Sequence, residues 1–349
     1  MTKQQTPIIK GRGAQINTQN RFNQFDYETE FEQDLQTTYT VVYPKSILNK
    51  VNSPDIGMAW SMNPYQGCEH GCVYCYARNS HNYWGYSAGL EFEQKILVKK
   101  NAAQLLEDQL RSKNWQANTI MLAGNTDCYQ PAEKQFGITR EILEVLWKYR
   151  HPVGVITKNS LILRDLELLK KLASKNLLRV SISLTSLNEE IRRLLEPRTA
   201  TAQQRLKTIG VLSQAGIPVN VMLAPIIPGI NEHEIMAMAQ KSAELGAKSI
   251  AYTLVRLNGD VAQIFEDWIH KMMPDRAEKV LNKIRACHGG QLNDNRFKKR
   301  MVGEGPISEM IRQQVHLARR LYFSKQQKIP YNFDLYEQYK SPQLKFNFD

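Results

Sequence analysis

Cys68-Glu69-His70-Gly71-Cys72-Val73-Tyr74-Cys75 places three thiols within eight residues of the chain. With this spacing, the thiols can meet at one centre only if the backbone loops around it. Thiolates are soft ligands that suit zinc or an iron–sulfur cluster. A tetrahedral zinc ion or a four-iron cluster takes four ligands, so three thiols leave one position for another side chain or for a bound ligand.

Two other interpretations of these cysteines stand beside a cluster. A structural zinc site would recruit His70, Cys128 or Cys287 as its fourth ligand, but such sites usually combine two Cys-x-x-Cys units, a pair that this chain lacks. The clustering could also be a coincidence. The chain has five cysteines in 349 residues, an odd and low number that argues against a disulfide scaffold and leaves metal or redox chemistry open.

Short apolar runs alternate with amphipathic segments from residue 58 onward. The predicted strands are Met58–Met62, Thr119–Ala123, Val153–Thr157, Leu178–Leu184, Pro218–Leu223 and Ser249–Leu254. Helical spacing follows in 101–111, 138–149 and 161–172. Capping-box spacing in Ser186 with Glu189 and in Asn231 with Glu234 predicts two helix starts, and Pro197 predicts a helix end. Six strands with intervening helices indicate parallel βαβ units, whose functional edge is formed by the carboxyl ends of the strands.

The flanking segments differ from this α/β pattern. Residues 1–57 read as a polar arm with one short strand candidate, Thr38–Tyr43, residues 58–258 as the α/β core, and residues 259–349 as a helical extension. The net charge is +12, and residues 279–329 alone carry twelve basic and three acidic side chains. Arg296, Lys298, Lys299 and Arg300 are therefore candidates for binding nucleic-acid phosphates. A solvated helix surface is the alternative.

Composition excludes several classes of protein. The hydrophobic fraction of 42% and the charged fraction of 23% are ordinary for a globular chain and argue against wholesale disorder. No apolar run approaches the ~18 residues that a membrane span needs, and the first ten residues lack the apolar core of a signal peptide. The sequence therefore predicts a cytoplasmic protein that does not partner a membrane.

The spacing Cys68-x3-Cys72-x2-Cys75, with Tyr74 before the last cysteine, resembles the defining motif of radical S-adenosylmethionine (SAM) enzymes. The resemblance implies that the three thiolates hold a [4Fe-4S] cluster whose fourth iron binds SAM. It implies reductive cleavage of SAM to methionine and a 5′-deoxyadenosyl radical that abstracts a substrate hydrogen. It also implies an electron donor such as flavodoxin or ferredoxin. The implied fold is α/β, a partial (β/α)6 barrel with the cluster loop after its first strand, here with an extended N-terminal arm and a basic helical C-terminal extension.

A narrower resemblance spans about residues 58–255. Cys72–Arg78 (CVYCYAR), Thr157–Ser160 (TKNS) and Glu196-Pro197 resemble the spore photoproduct lyase branch. Asn63–Arg78 and Asn125–Glu133 are similar to a bacterial group often labelled DNA repair photolyase-like, whose substrate is not established. This implies nucleic-acid repair or modification. Radical chemistry on a small molecule, peptide or protein stays open, as does a non-catalytic iron–sulfur or zinc-binding protein.

The same resemblance assigns cofactor contacts. Lys158 follows an apolar strand and would pair with the SAM carboxylate, while Ser183, and with it Ser181, would hydrogen-bond SAM from one face of its strand. The other candidates are Tyr74 against the adenine, Thr126 and Asp127 at the ribose or amino group, and Arg198 at SAM or a substrate phosphate. Each has a structural alternative: a surface lysine, a core tyrosine, a serine or threonine satisfying the backbone, a turn-forming aspartate, or a helix cap.

Cys128 is the candidate catalytic residue. In spore photoproduct lyase, a cysteine near the end of the second strand returns a hydrogen atom to the repaired product. Cys128 is displaced by several residues from the matching place, which weakens the transfer of that reaction. A buried spare thiol is the favoured interpretation and a hydrogen donor the alternative. The isolated Cys287 receives no role.

Overall fold

The computed structural model describes residues 8–20, 22, 36–324 and 329–340. Its strands are β1 (Thr38–Val42), β2 (Leu48–Lys50), β3 (Trp60–Met62), β4 (Tyr65–Gln66), β5 (Lys95–Lys99), β6 (Ile120–Leu122), β7 (Val153–Thr157), β8 (Leu178–Ser183), β9 (Val219–Ile226) and β10 (Ser249–Leu254). The six predicted core strands are all present, as β3 and β6 to β10, and they differ from the prediction only at their ends.

The helices are α1 (Glu91–Gln94), α2 (Ala102–Arg111), α3 (Ala132–Phe136), α4 (Ile138–Lys148), α5 (Leu166–Ala173), α6 (Glu189–Leu195), α7 (Ala202–Gln214), α8 (Ile235–Glu244), α9 (Asp260–Met272), α10 (Ala277–Cys287), α11 (Pro306–Tyr322) and α12 (Asp334–Lys340). Short 3₁₀ helices cover Tyr76–Trp84, Ser160–Asp165, Glu232–Glu234 and Pro274–Arg276. The predicted helical segment 161–172 thus begins as a 3₁₀ turn and becomes α-helical at Leu166. No helix in the described ranges is both long enough and apolar enough to cross a membrane.

The main sheet has the strand order β10-β9-β8-β7-β6-β3-β2. From β3 to β10 all neighbours pair in parallel, and β2 adds an antiparallel edge strand. Helices lie between successive parallel strands, since a parallel connection has to return along the sheet. This is the predicted α/β arrangement with a helical C-terminal part, and it brings the carboxyl ends of six strands to one edge.

A second sheet with the order β1-β5-β4 supports the segment that carries the cysteines. β1 pairs in parallel with β5, and β4 pairs antiparallel with the opposite side of β5. The strand predicted at Thr38–Tyr43 is confirmed and ends at Val42. Because β4 ends at Gln66, this sheet fixes the backbone two residues before Cys68.

Both predicted capping boxes are wrong. Helix α6 is capped by Asn188, whose Oδ1 accepts from the backbone of Glu190 and Ile191, because the Ser186 hydroxyl instead donates to Glu234 over 2.7 Å. The Asn231 amide donates to two strand-end carbonyls rather than capping a helix. The structure has a capping box at the start of α7, where Thr201 and Gln204 satisfy each other's backbone. The predicted helix end before Pro197 is confirmed, since α6 stops at Leu195.

The C-terminal extension packs along the sheet rather than standing apart. Helix α11 packs against α8 and β10. The Tyr336 hydroxyl of α12 donates to the Leu110 carbonyl at the end of α2 over 2.6 Å. The division into 1–57, 58–258 and 259–349 stays a prediction, and residues 1–7, 21, 23–35, 325–328 and 341–349 of it lie outside the described residues.

Candidate functional site

The three cysteines lie on a loop at the carboxyl-end edge of the main sheet. Gly67 opens the loop with φ of +78°, and a side chain there would approach the Lys95 carbonyl to 2.8 Å. The Cys68 amide donates to the Phe92 carbonyl over 2.8 Å, and the 3₁₀ helix Tyr76–Trp84 follows directly after Cys75. Cys68 and Cys72 are buried, while Cys75 is partly exposed.

The thiols act on one another electrostatically. Burial raises the pKa of the Cys72 thiol most, followed by the Glu196 carboxylate, and Cys75 and Cys68 raise it further. The ammonium of Lys158 opposes this shift and also lowers the pKa of Cys75. The three thiols therefore share one loop, and both Arg78 and Lys158 act on them as cations. Within the described residues, no three His, Cys, Asp or Glu side chains form a group that could hold a metal ion.

Glu93 fixes the loop from one side. Its carboxylate is fully buried and accepts from Arg78 over 2.5 Å, from the Gly13 amide over 3.1 Å and from the Ala14 amide over 2.8 Å. Arg78 is also fully buried, and its Nε donates to the Cys72 carbonyl over 3.0 Å. One carboxylate thus joins the N-terminal arm to the backbone of the second cysteine.

The arm touches the loop too closely for any residue but glycine at one point. A Cβ on Gly13 would lie 1.7 Å from the Gly71 carbonyl oxygen, although no positive φ requires glycine there. A Cβ on Gly89 would likewise lie 2.1 Å from the Ile16 carbonyl of the arm. The sequence predicted a polar arm, and the structure shows that residues 12–14 of it are buried against the cysteine loop.

A second buried carboxylate fixes the loop from the other side. Glu196 accepts hydrogen bonds from the Tyr74 hydroxyl, from Thr185 over 2.6 Å and from the Arg205 guanidinium. Burial alone would raise the pKa of Glu196, but Arg205, Lys158 and the hydrogen bonds lower it to about 2. Tyr74 therefore anchors the loop through its hydroxyl, which leaves its predicted adenine contact to be made by the ring.

Asp127 organises the ends of β6 and β7. Its carboxylate accepts from the Thr157 hydroxyl and the Lys158 amide, each over 2.8 Å, and lies 3.4 Å from His70 Nδ1. Burial would raise the pKa of Asp127, but His70 and these donors lower it to about 2. Asp127 thus orients Lys158 and His70 through its own hydrogen bonds. Lys158 itself has no hydrogen bond or ion pair from its ammonium within the described ranges, and Cys72 and Glu196 raise the pKa of the amine against the effect of burial.

The other predicted cofactor contacts differ in their surroundings. The buried Thr126 hydroxyl donates to the Tyr65 carbonyl over 2.6 Å. Arg198 lies 3.6 Å from Glu69 beside the cysteine loop. Ser183 is buried at the carboxyl end of β8, and Arg205 donates to its carbonyl over 3.0 Å. The charge of Lys158 acts on Cys72 and Cys75, whereas Thr126 and Arg198 have partners in the surrounding scaffold.

Neither spare thiol lies on the cysteine loop. Cys128 is fully buried in the main hydrophobic core, and burial, Asp127 and Glu133 raise the pKa of its thiol well above the ordinary value. Cys287 is buried at the end of α10. The location of Cys128 matches the favoured interpretation of a buried thiol, and its role as a hydrogen donor stays a prediction.

Carboxylates neutralise most of the predicted phosphate-binding cluster. The ion pairs are Arg296 with Asp294 and Glu304, Lys299 with Glu304, and Arg300 with Asp55. Lys298 is exposed, and among the described residues its ammonium has no ion pair. The net charge of the segment therefore overstates the charge that is available to a ligand.

Sequence reasoning missed the groups that hold the loop. Glu93, Arg78, Glu196 and Arg205 are buried ionic side chains whose partners lie on other elements, so no local pattern announces them. The one available signal was their context, because Arg78 and Glu196 stand within the segments that resemble the spore photoproduct lyase branch.

Comparison with known proteins agrees with this architecture. The family model of the radical SAM superfamily matches residues 62–242, more than half of the chain. An uncharacterized protein of Mycobacterium tuberculosis (strain H37Rv) is 34% identical over 252 residues, which cover 71% of this chain and 74% of that protein. The antilisterial bacteriocin subtilosin biosynthesis protein AlbA of Bacillus subtilis is 31% identical over 54% of this chain and 37% of its own length.

Solved structures show the same fold. A spore photoproduct lyase variant superposes with a TM-score of 0.62 at 14% identity and covers 87% of this chain and 86% of its own. Another variant of that lyase, with bound AdoMet and dinucleoside spore photoproduct, has a TM-score of 0.59, also at 14% identity, and covers 83% of this chain and 81% of its own. At this level of identity the similarity establishes the fold and leaves the reaction of this chain open.

Proposed function

The chain belongs to the radical SAM superfamily, and on that premise we propose that Cys68, Cys72 and Cys75 bind the cluster of an enzyme that acts on nucleic acid. The family assigns the class of enzyme and its two cofactors, a [4Fe-4S] cluster and SAM. The proposal concerns the residues that hold these cofactors and the substrate. It rests on one observation: three thiols share one loop, and the other two cysteines lie outside it.

The side chains that could complete a zinc site have other partners, although His70 also contacts Cys68 on the same loop. His70 has Nδ1 3.4 Å from Asp127 and Nε2 3.3 Å from Asn159. Cys128 lies in the main core and Cys287 at the end of α10. A structural zinc ion takes four protein ligands, whereas a cluster that binds SAM keeps one iron open. The donor set therefore fits the cluster better than zinc.

When bound, the cluster supplies the electron that cleaves SAM into methionine and a 5′-deoxyadenosyl radical, which removes a hydrogen atom from the substrate. The chain's own residues then have three tasks. Lys158 neutralises the SAM carboxylate beside the thiols, Ser183 offers a hydroxyl at the end of β8, and the Tyr74 ring provides a surface for the adenine. Glu93 and Glu196 keep the loop in place from its two sides and exclude water from its backbone.

Nucleic acid is the substrate class that the unpaired basic side chains favour. Lys298 and the guanidinium of Arg256 have no carboxylate partner among the described residues, although Arg296, Lys299 and Arg300 do. A spore photoproduct lyase has the same fold. The bacteriocin biosynthesis relative supports peptide modification as the second candidate.

Anaerobic reconstitution tests the cluster assignment. We expect about four irons and four sulfides per chain, a broad absorption near 400 nm, and 5′-deoxyadenosine after reduction with SAM. Cys72→Ala should lose both iron and 5′-deoxyadenosine, whereas Cys287→Ala, a buried thiol outside the loop, should retain them. Stoichiometric zinc without sulfide in the wild type, or full SAM cleavage by Cys72→Ala, would overturn the assignment.

A further inference from the structure

Arg256 stands two residues beyond β10, at the same edge of the sheet as the cysteine loop. Backbone hydrogen bonds fix both of its neighbours: the Val255 amide donates to Ile226 and the Leu257 amide to Leu292, each over 2.9 Å. The Arg256 side chain is partly buried. These two hydrogen bonds fix the backbone at Arg256 before any ligand binds, as a recognition site requires.

The guanidinium of Arg256 lacks the compensation that two fully buried arginines have. Arg78 and Arg205 each pair with a buried carboxylate. Asp55, the carboxylate near Arg256, is already occupied by Arg300 over 2.7 Å and by the Lys298 amide over 2.7 Å. Burial and the neighbouring Arg300 charge lower the pKa of Arg256. Asp55 offsets this effect only in part, because it is shared with Arg300. A partly buried cation with a shared counter-ion is unfavourable, and an anionic ligand would relieve it.

Two exposed aromatic rings lie near this cation or near its neighbour Arg300. Tyr76 directly follows Cys75, is 48% exposed and is among the groups that act electrostatically on Arg256. Phe297 is 53% exposed, with the Arg300 guanidinium 4.6 Å from its ring centroid. Exposed rings beside guanidinium groups are typical of proteins that bind single-stranded nucleic acid, where bases stack and cations contact the backbone.

We infer that Arg256 binds a backbone phosphate of a single-stranded nucleic-acid substrate, with Tyr76 and Phe297 available to stack its bases. Arginine suits this ligand because its planar fork donates two parallel hydrogen bonds to phosphate oxygens. Lys158, whose charge acts on Cys72 and Cys75, stays available for SAM. The inference deepens the proposed function and rests on its nucleic-acid part.

Binding of a fluorescein-labelled ten-nucleotide oligothymidylate to the reconstituted enzyme, followed by fluorescence anisotropy, tests this site. We expect Arg256→Gln to raise Kd about tenfold, since a charged hydrogen bond is lost. We also expect the slope of log Kd against log salt to fall by about 0.7, the value for one phosphate contact on a single strand. Arg256→Lys should keep the slope but recover only part of the affinity. Arg285→Gln is the control, because Arg285 is similarly exposed and pairs with Glu266 over 3.2 Å.

Several results would overturn the inference. Wild-type affinity and slope in Arg256→Gln would refute the phosphate contact, as would an equal loss in Arg285→Gln. A parallel loss of SAM binding in equilibrium dialysis would assign the guanidinium to the cofactor. The nucleic-acid function itself would be refuted if the wild type failed to bind the oligonucleotide or bound an acidic peptide of equal charge more tightly. If only Arg256→Gln failed to bind the oligonucleotide, that function would still hold. Melting temperatures of all variants exclude misfolding as the cause.

Discussion

Gly13→Ala should release the N-terminal arm from the cysteine loop. The new Cβ would stand 1.7 Å from the Gly71 carbonyl oxygen, whereas Cβ atoms in proteins essentially never come within 3.0 Å of such an atom. The arm or the loop must therefore move by at least 1.3 Å, the difference between these distances. Both contacting groups are backbone, so no side-chain rotation can absorb the change.

That displacement breaks more than one contact. The Gly13 and Ala14 amides would lose their hydrogen bonds to the Glu93 carboxylate. Glu93 would then keep its ion pair with Arg78 but have two hydrogen-bond donors fewer. Overpacking of this kind costs about 1–3 kcal/mol of folding free energy. Because Arg78 also holds the Cys72 carbonyl, we expect faster alkylation of Cys72 in the apoprotein and a lower iron content after reconstitution.

The measurements are urea unfolding, iodoacetamide labelling read by mass spectrometry, and iron and sulfide analysis. Gly89→Ala, whose Cβ would lie 2.1 Å from the arm at Ile16, should behave in the same way. Gly57→Ala is the matched control, since a Cβ there has no atom within 4 Å. If Gly13→Ala matches Gly57→Ala in stability, labelling and iron content, the arm does not hold the loop and this reasoning is wrong.

Three other changes probe the site and its scaffold. Lys158→Met should raise the KM for SAM about tenfold or more at unchanged iron content, because a charged hydrogen bond is lost, while Lys158→Arg should restore part of it; an unchanged KM in both would remove Lys158 from the cofactor site. Glu196→Gln should cost about 3–5 kcal/mol at neutral pH, since it leaves the Arg205 charge unbalanced. The pKa of Glu196 is lowered from 4.5 to about 2, so its contribution to the free energy of unfolding is complete above pH 4.5 and is lost as pH falls toward 2. Between these pH values, the free energy of unfolding should therefore change less with pH in Glu196→Gln than in the wild type. Thr201→Ala, which removes the capping box of α7, should lower stability by about 1 kcal/mol without changing iron content.

The strands were predictable because of where they lie. A parallel strand covered on both faces shows as a short apolar run, and Val153–Thr157 and Ser249–Leu254 were predicted with their final bounds. Helix starts were harder, because a polar side chain near a helix end has several partners within reach. The Ser186 hydroxyl donates to Glu234, a residue of another segment, instead of capping α6. Nothing within four residues of Ser186 indicates this hydrogen bond.

The close approach of the N-terminal arm to the cysteine loop could not be predicted from local sequence either. Gly13 and Gly71 are 58 positions apart, and neither position has a pattern that points to the other. Charge is the clearest case. Arg300 was counted as free for a phosphate, but its partner Asp55 is 245 residues away in the sequence. A charge count measures what the chain carries, whereas a binding surface depends on what the fold leaves unpaired.

That distinction separates Arg256 from the two arginines that pair with buried carboxylates beside the cysteine loop. A buried ion pair is weak evidence for stability, because desolvation can offset its attraction. Arg78 with Glu93 and Arg205 with Glu196 are therefore better explained by position, since one pair fixes the Cys72 carbonyl and the other fixes the Tyr74 hydroxyl. Arg256 has the same chemistry at the same edge of the sheet but no carboxylate of its own within the described residues. Because Asp55, the carboxylate that acts on Arg256, is shared with Arg300, a further partner for Arg256 is best sought in the ligand.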